Sequence, residues 1–195
     1  ELNARLERVA AGFGLPAEAI QRLQPWMVAT VLSLQAAERA GYGASQGVDL
    51  WLARQARARG QPLVALETAK RQVAALGAGG DEAQLAYLAE VVDLVDSGEA
   101  STYFGSVLQA WREGDVAALD RLLREEMAGE AMRPLLEALL DQRNREMAVR
   151  IDKQLKAGRR PFVAVGSGHL GGPSGLLAQL AGKGYRLRQL DDGAD

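Results

Sequence analysis

With 195 residues, 48% of them hydrophobic and 25% charged, the chain is long and apolar enough for one domain with a substantial core, and a disordered polymer is excluded. Its 23 basic and 25 acidic residues give a net charge of −2, so no overall basic field draws it to nucleic acid or to an anionic membrane. The lack of cysteine excludes disulfides, iron–sulfur clusters, thiolate zinc sites and thiol nucleophiles, and the single histidine, His169, excludes a multi-histidine metal site built from this chain alone.

The opening Glu1-Leu2-Asn3-Ala4-Arg5-Leu6-Glu7-Arg8-Val9 is an amphipathic helical pattern without an initiator Met or the basic-then-apolar layout of a signal peptide, so the first residue is expected to lie inside its gene. Gly12, Gly14 and Pro16 break that helix, and Gln24-Pro25-Trp26 starts the next, with Pro25 in a helix-initiating position. The most apolar stretch, 26–37, is interrupted by Thr30, Ser33 and Gln35 and is too short to cross a bilayer. Gly41, Gly43 and Gly47 form a loop before a helix over 49–59, which ends at Gly60 and leads into Pro62-Leu63-Val64-Ala65-Leu66, a candidate buried strand.

Thr68 is expected to cap a helix that runs to Gly77, and Asp81 to cap another with Leu85, Leu88, Val92 and Val95 on its apolar stripe. Helices continue through Trp111 and restart after Gly114-Asp115 and again near Pro134. The last places Leu136, Leu140, Met147, Ile151 and Leu155 on one stripe and stops at Gly158. Pro161-Phe162-Val163-Ala164-Val165 is the strongest strand pattern, followed by the glycine loop 166–172, a helix over about 173–181 and a final strand over 185–190. Such a β-loop-α-β unit favours a parallel pair with a right-handed crossover. The expected fold class is therefore α/β and helix-rich, with a small sheet of parallel strands. One domain, 1–195, holds helical parts over about 1–60 and 81–158 and the β-loop-α-β end over about 161–190.

Both strong strand patterns end in something reactive, Glu67 after the first and His169 in the loop after the second. In open α/β sheets the ligand crevice lies outside the carboxyl ends of the strands. Glu67 also reads as a solvated acid at a helix start, and His169 as a loop residue making a local hydrogen bond. Arg143 and Asn144 interrupt the apolar stripe between Leu140 and Met147, where a buried polar group without a partner costs about 1–3 kcal/mol. They either meet partners there or roll to the flank and snorkel. The loop Gly166-Ser167-Gly168-His169-Leu170-Gly171 also matches the dinucleotide fingerprint G-x-G-x-x-G, with Asp191 and Asp192 beyond the last strand pattern. Against that alternative, Gly172 and Pro173 delay the helix, and no further strands follow to complete a nucleotide sheet.

Several segments together carry a resemblance: Gln24-Pro25-Trp26, Gly47-Val48-Asp49, the run Gln61-Pro62-Leu63-Val64-Ala65-Leu66-Glu67-Thr68 with Gln72, Ala110-Trp111-Arg112-Glu113-Gly114-Asp115, Arg143-Asn144, and 162–173. In these the chain resembles the TraB/PrgY/GumN family, whose animal relatives are the Tiki metalloproteases. The resemblance implies a metal-dependent, peptidase-like hydrolase whose site joins two G-x-x-H motifs, a glutamate and an Arg-Asn pair. The second motif corresponds to Gly166 and His169, the acid to Glu67, and the pair to Arg143 and Asn144.

The first G-x-x-H has no counterpart here. In the family it lies upstream, so the N-terminal strands are expected to be missing and the chain to be the C-terminal part of such a domain, with little or no hydrolysis of its own. The resemblance makes His169 and Glu67 ligands of a divalent metal ion, or Glu67 the base for metal-bound water. Arg143 stabilises an oxyanion or orients the carboxylate, and Asn144 supplies a supporting hydrogen bond. Manganese, cobalt and zinc suit such a nitrogen/oxygen site alike. A peptide substrate is implied, as is an extracytoplasmic setting for many bacterial relatives. An upstream fragment or a second copy is expected to cover the exposed sheet edge. A non-catalytic binding protein of the same fold is the alternative.

Overall fold

The computed structural model describes residues 1–190, and their regular structure is entirely helical. Helices α1 (Leu2–Gly12), α2 (Ala17–Ile20) and α3 (Pro25–Arg39) form the first layer, with Pro25 opening α3 as its pattern predicts. Their apolar faces close on α6 (Gly80–Asp96): Val9, Ala10, Ile20, Val28, Ala29 and Leu32 pack with Leu88, Val91 and Val92. Ion pairs Arg5–Asp93 and Arg8–Asp96 seal the margin between α1 and α6. Between α3 and α6 in the chain come α4 (Val48–Ala58), which buries none of its residues and exposes Val48, Leu50 and Trp51, and α5 (Ala69–Leu76). The expected cap at Thr68 is formed, its hydroxyl accepting the Arg71 backbone N–H at 3.1 Å. Asp81 instead lies within the first turn of α6, whose N-cap is Gly79.

Helix α7 (Ala100–Glu113) is followed by α8 (Val116–Glu126), where the Asp115 carboxylate accepts the Ala118 N–H at 2.8 Å and so restarts the helix. Helix α9 (Arg133–Leu136), a π turn over Glu137–Asp141 and α10 (Gln142–Lys156) follow one another without a break. Helix α11 (Leu176–Gly182) lays Leu176 on Met147, Ala148 and Ile151 of α10. No helix among the described residues is long and apolar enough to cross a membrane.

The small parallel sheet is not formed. The segments 63–66, 162–165 and 185–190 carry no strand pairing, and no strand occurs among the described residues. Alternating and β-branched residues favour an extended backbone, but a strand requires a neighbour to complete its hydrogen-bond ladder. Here the segments form no regular structure. They are also not buried: Val64 is 62% and Phe162 82% exposed, with Leu63, Leu187 and Leu190 exposed too. Only the last residues of the first two segments, Leu66 and Val165, pack against the cluster between α10 and α11. The parallel pair with its right-handed crossover falls with the sheet. What survives is that both segments deliver their ends, and hence Glu67 and the His169 loop, to the same helix.

Candidate functional site

Helix α10 owes its buried polar pair to the π turn before it. A π turn inserts one residue into the helical register, and here the buried positions step from Leu135 and Ala138 to Arg143 and Asn144 before resuming at Met147, Ala148 and Ile151. Leu136 and Leu140, expected on the stripe, are only half-buried. Neither polar residue escapes to the flank: Arg143 is 9% and Asn144 1% exposed.

Arg143 is held by three contacts. Its Nε donates to Glu67 Oε2 at 2.8 Å and its Nη2 to Glu67 Oε1 at 2.5 Å, a two-pronged guanidinium–carboxylate pair. Its Nη1 donates to the Leu139 carbonyl at 2.7 Å, one turn back in the π segment. Hydrogen bonding from Arg143 holds the Glu67 carboxyl below its ordinary value against the opposing effect of burial, and the charges of Arg143 and Arg71 add to it. Glu67 is therefore ionised at neutral pH.

Asn144 faces the glycine loop, its Oδ1 lying 2.7 Å from Nδ1 of His169. An amide oxygen accepts, so Nδ1 carries the proton and Nε2 keeps its lone pair. Burial, reinforced by the Arg143 charge and opposed by Glu67, lowers the His169 pKa to about 4, and the ring is neutral at pH 7. Asn144 Nδ2 is buried with no hydrogen-bond partner. Glu67, Arg143, Asn144 and His169 thus form one cluster, linked by two hydrogen-bonded pairs and by charges that reach the imidazole.

The glycines of the loop serve close packing on α8. A Cβ at Gly168 would meet the Leu123 side chain, and one at Gly171 would sit 2.7 Å from the Val116 carbonyl. At Gly172 it would sit 2.6 Å from Asp120 Oδ1, with φ at +75°. The features that would frame a dinucleotide fingerprint are absent: 161–165 is not a strand, and α11 begins only at Leu176. Asp191 and Asp192 lie outside the described residues. Gly172→Ala is expected to lower stability by about 1–3 kcal/mol through backbone strain and overlap. Gly182→Ala, at an open position near the end of α11, should be neutral or slightly stabilising when both variants are compared by denaturant titration.

One neighbour escaped the sequence reading. Arg71, on the first turn of α5, donates from Nε to both Glu146 oxygens at 3.0 Å, and its charge reaches Glu67. The available signal was the Thr68 cap, which fixes the start of α5 and places Arg71 one turn from Glu67. As metal donors the cluster offers His169 Nε2 and the Glu67 carboxylate, and no group of three or more His, Asp or Glu residues that could hold an ion gathers among the described residues.

Neither a curated protein nor a solved structure matches the chain. The family model described as the TraB/PrgY/gumN family matches residues 1–189, nearly the whole length and all four clustered side chains. The chain belongs to the TraB/PrgY/gumN family.

Proposed function

We propose that this chain supplies one side of a metal-dependent, peptidase-like hydrolytic centre, in which His169 is the ligand and Glu67 handles the proton. The observation that carries the reading is the Asn144–His169 hydrogen bond, which fixes a neutral imidazole with one nitrogen engaged and the other uncommitted. That is how a histidine is prepared for a metal, its second nitrogen held by a neighbouring acceptor.

Glu67 fits the ion less completely. Both of its oxygens accept from Arg143, and a guanidinium so close opposes a second cation. Two protein donors also fall short of the three that a catalytic zinc-type site uses, so a further ligand has to come from another polypeptide segment.

A divalent ion at His169 would supply Lewis-acid polarisation of a peptide carbonyl, and manganese, cobalt or zinc suits the donors. Glu67, kept ionised and aimed by Arg143, takes the proton of the attacking water. Three N–H donors of Arg143 go to Glu67 and Leu139, which supports a role in orienting the carboxylate. Asn144 maintains the Nδ1–H tautomer of His169 through its Oδ1.

A second reading, a non-catalytic binding protein on the same fold, is favoured by the closed Glu67–Arg143 pair. Titration of the chain with Mn²⁺, Co²⁺ and Zn²⁺ separates the two. The hydrolytic reading expects weak binding that disappears in His169→Ala; no binding by the wild type, or equal binding by the variant, supports the binding-protein reading.

A further inference from the structure

The side chain of Arg124 lies between two carboxylates from different elements. Its Nε donates at 2.8 Å to Oδ1 of Asp120, one turn earlier on α8. Its Nη2 donates at 3.2 Å to Oδ1 of Asp141, the last residue of the π turn. All three side chains are largely covered, at 28% exposure for Arg124, 16% for Asp120 and 19% for Asp141. Ion pairs covered to this degree are screened less by salt than surface pairs, and the planar guanidinium fixes the angle between its two partners.

Each end of this triad abuts one half of the Asn144–His169 pair. Asp120 is the floor of the glycine loop: a Cβ at Gly171 would stand 2.8 Å from Asp120 Cβ, and one at Gly172 would meet both carboxylate oxygens. His169 lies two residues before Gly171. At the other end, Asp141 lies two residues before Arg143 and three before Asn144. The loop and the start of α10 are therefore joined by two routes: directly through Asn144 and His169, and around α8 through Asp120, Arg124 and Asp141.

We propose that Asp120, Arg124 and Asp141 form a clamp that sets the separation between the His169 loop and α10, making Arg124 a positioning residue for the Asn144–His169 hydrogen bond. Asp120 and Asp141 would otherwise leave two acids facing the gap between α8 and the π turn without a cation between them. Arg124 draws them together, and the glycines let the loop settle on the same helix face. The proposal concerns the geometry on which the hydrolytic reading rests, but its test requires no metal and no substrate, so either can fail without the other.

His169 is the only imidazole in the chain, so its ring nitrogens can be observed alone by ¹⁵N NMR in protein without a histidine tag. Wild type should show the Nδ1–H tautomer. Arg124→Gln and Asp141→Ala should each lose it, the two ring-nitrogen resonances moving toward a tautomer-averaged position while helical circular dichroism is retained. Arg133→Gln, which breaks the exposed Arg133–Glu130 pair, should leave the tautomer unchanged. A purely structural triad would lower the unfolding midpoint and leave the tautomer intact, so wild-type ring signals in folded Arg124→Gln and Asp141→Ala would overturn the proposal. Where Arg124→Gln does not fold, Asp141→Ala, which removes a single contact, decides.

Discussion

Glu67→Ala should destabilise the chain by about 3–5 kcal/mol, several times the cost of losing a surface ion pair. The reason is the state in which it leaves Arg143. That guanidinium is buried on α10 and retains only the Leu139 carbonyl once the carboxylate is gone, and a buried charge without its counter-ion is the costly case. Arg143→Met in the same background removes the stranded charge and substitutes an apolar side chain of comparable length beside Met147. The double variant should therefore recover more than half of the loss, giving a coupling of about 2 kcal/mol or more in a double-mutant cycle of urea unfolding. Strictly additive losses would mean that the pair is not the unit described.

The second large effect is in pH. The folded His169 ring takes its proton only near about 4, against 6.5 for the ordinary imidazole, because burial and the Arg143 charge disfavour the imidazolium. Between those values the unfolded chain binds more protons than the folded one, so stability rises with pH. The contribution is fully present above 6.5 and is lost as pH falls towards about 4. With allowance for the solvent that reaches part of the ring, it amounts to about 2 kcal/mol. Glu67 behaves in the opposite sense of charge and lower in pH: its contribution is present above its ordinary value of 4.5 and is lost only as pH falls through its lowered folded value. The interval from 6.5 down to 4.5 therefore belongs mainly to His169. Urea midpoints across it should fall for wild type and stay nearly level for His169→Gln; parallel slopes would place the ring in water.

Much of the helical framework was legible because its signals are local. Pro25 opens α3, Thr68 makes the side-chain cap that its pattern predicts, and a helix restarts after Gly114-Asp115, whereas Asp81 lies inside the first turn of the helix it was expected to cap. The polar pair on the apolar stripe was equally informative, since Arg143 and Asn144 are buried and each meets a partner. The sheet was misread for a physical reason: residues such as Val64 and Phe162 encode an extended backbone, whereas strand pairing depends on a neighbour that local composition does not supply. The π turn was not legible either, because Leu135 and Ala138 are as apolar as Leu136 and Leu140 and both registers satisfy the pattern. Arg71 and Arg124 have no place in the motifs that the sequence offers. Their decisive partners, Glu146 and Asp141, lie 75 and 17 residues further along the chain and come within reach only through tertiary packing.

The most direct measurement of the hydrolytic account is peptide cleavage by the natural polypeptide that carries this domain, assayed with Mn²⁺, Co²⁺ or Zn²⁺. It compares wild type with Glu67→Gln and His169→Ala, with folding checked by circular dichroism. The account predicts metal-dependent cleavage that falls by about 10²-fold or more in each folded variant, the scale on which positioned acid–base groups contribute. Cleavage at the wild-type rate in either variant, or cleavage indifferent to the metal, would contradict it.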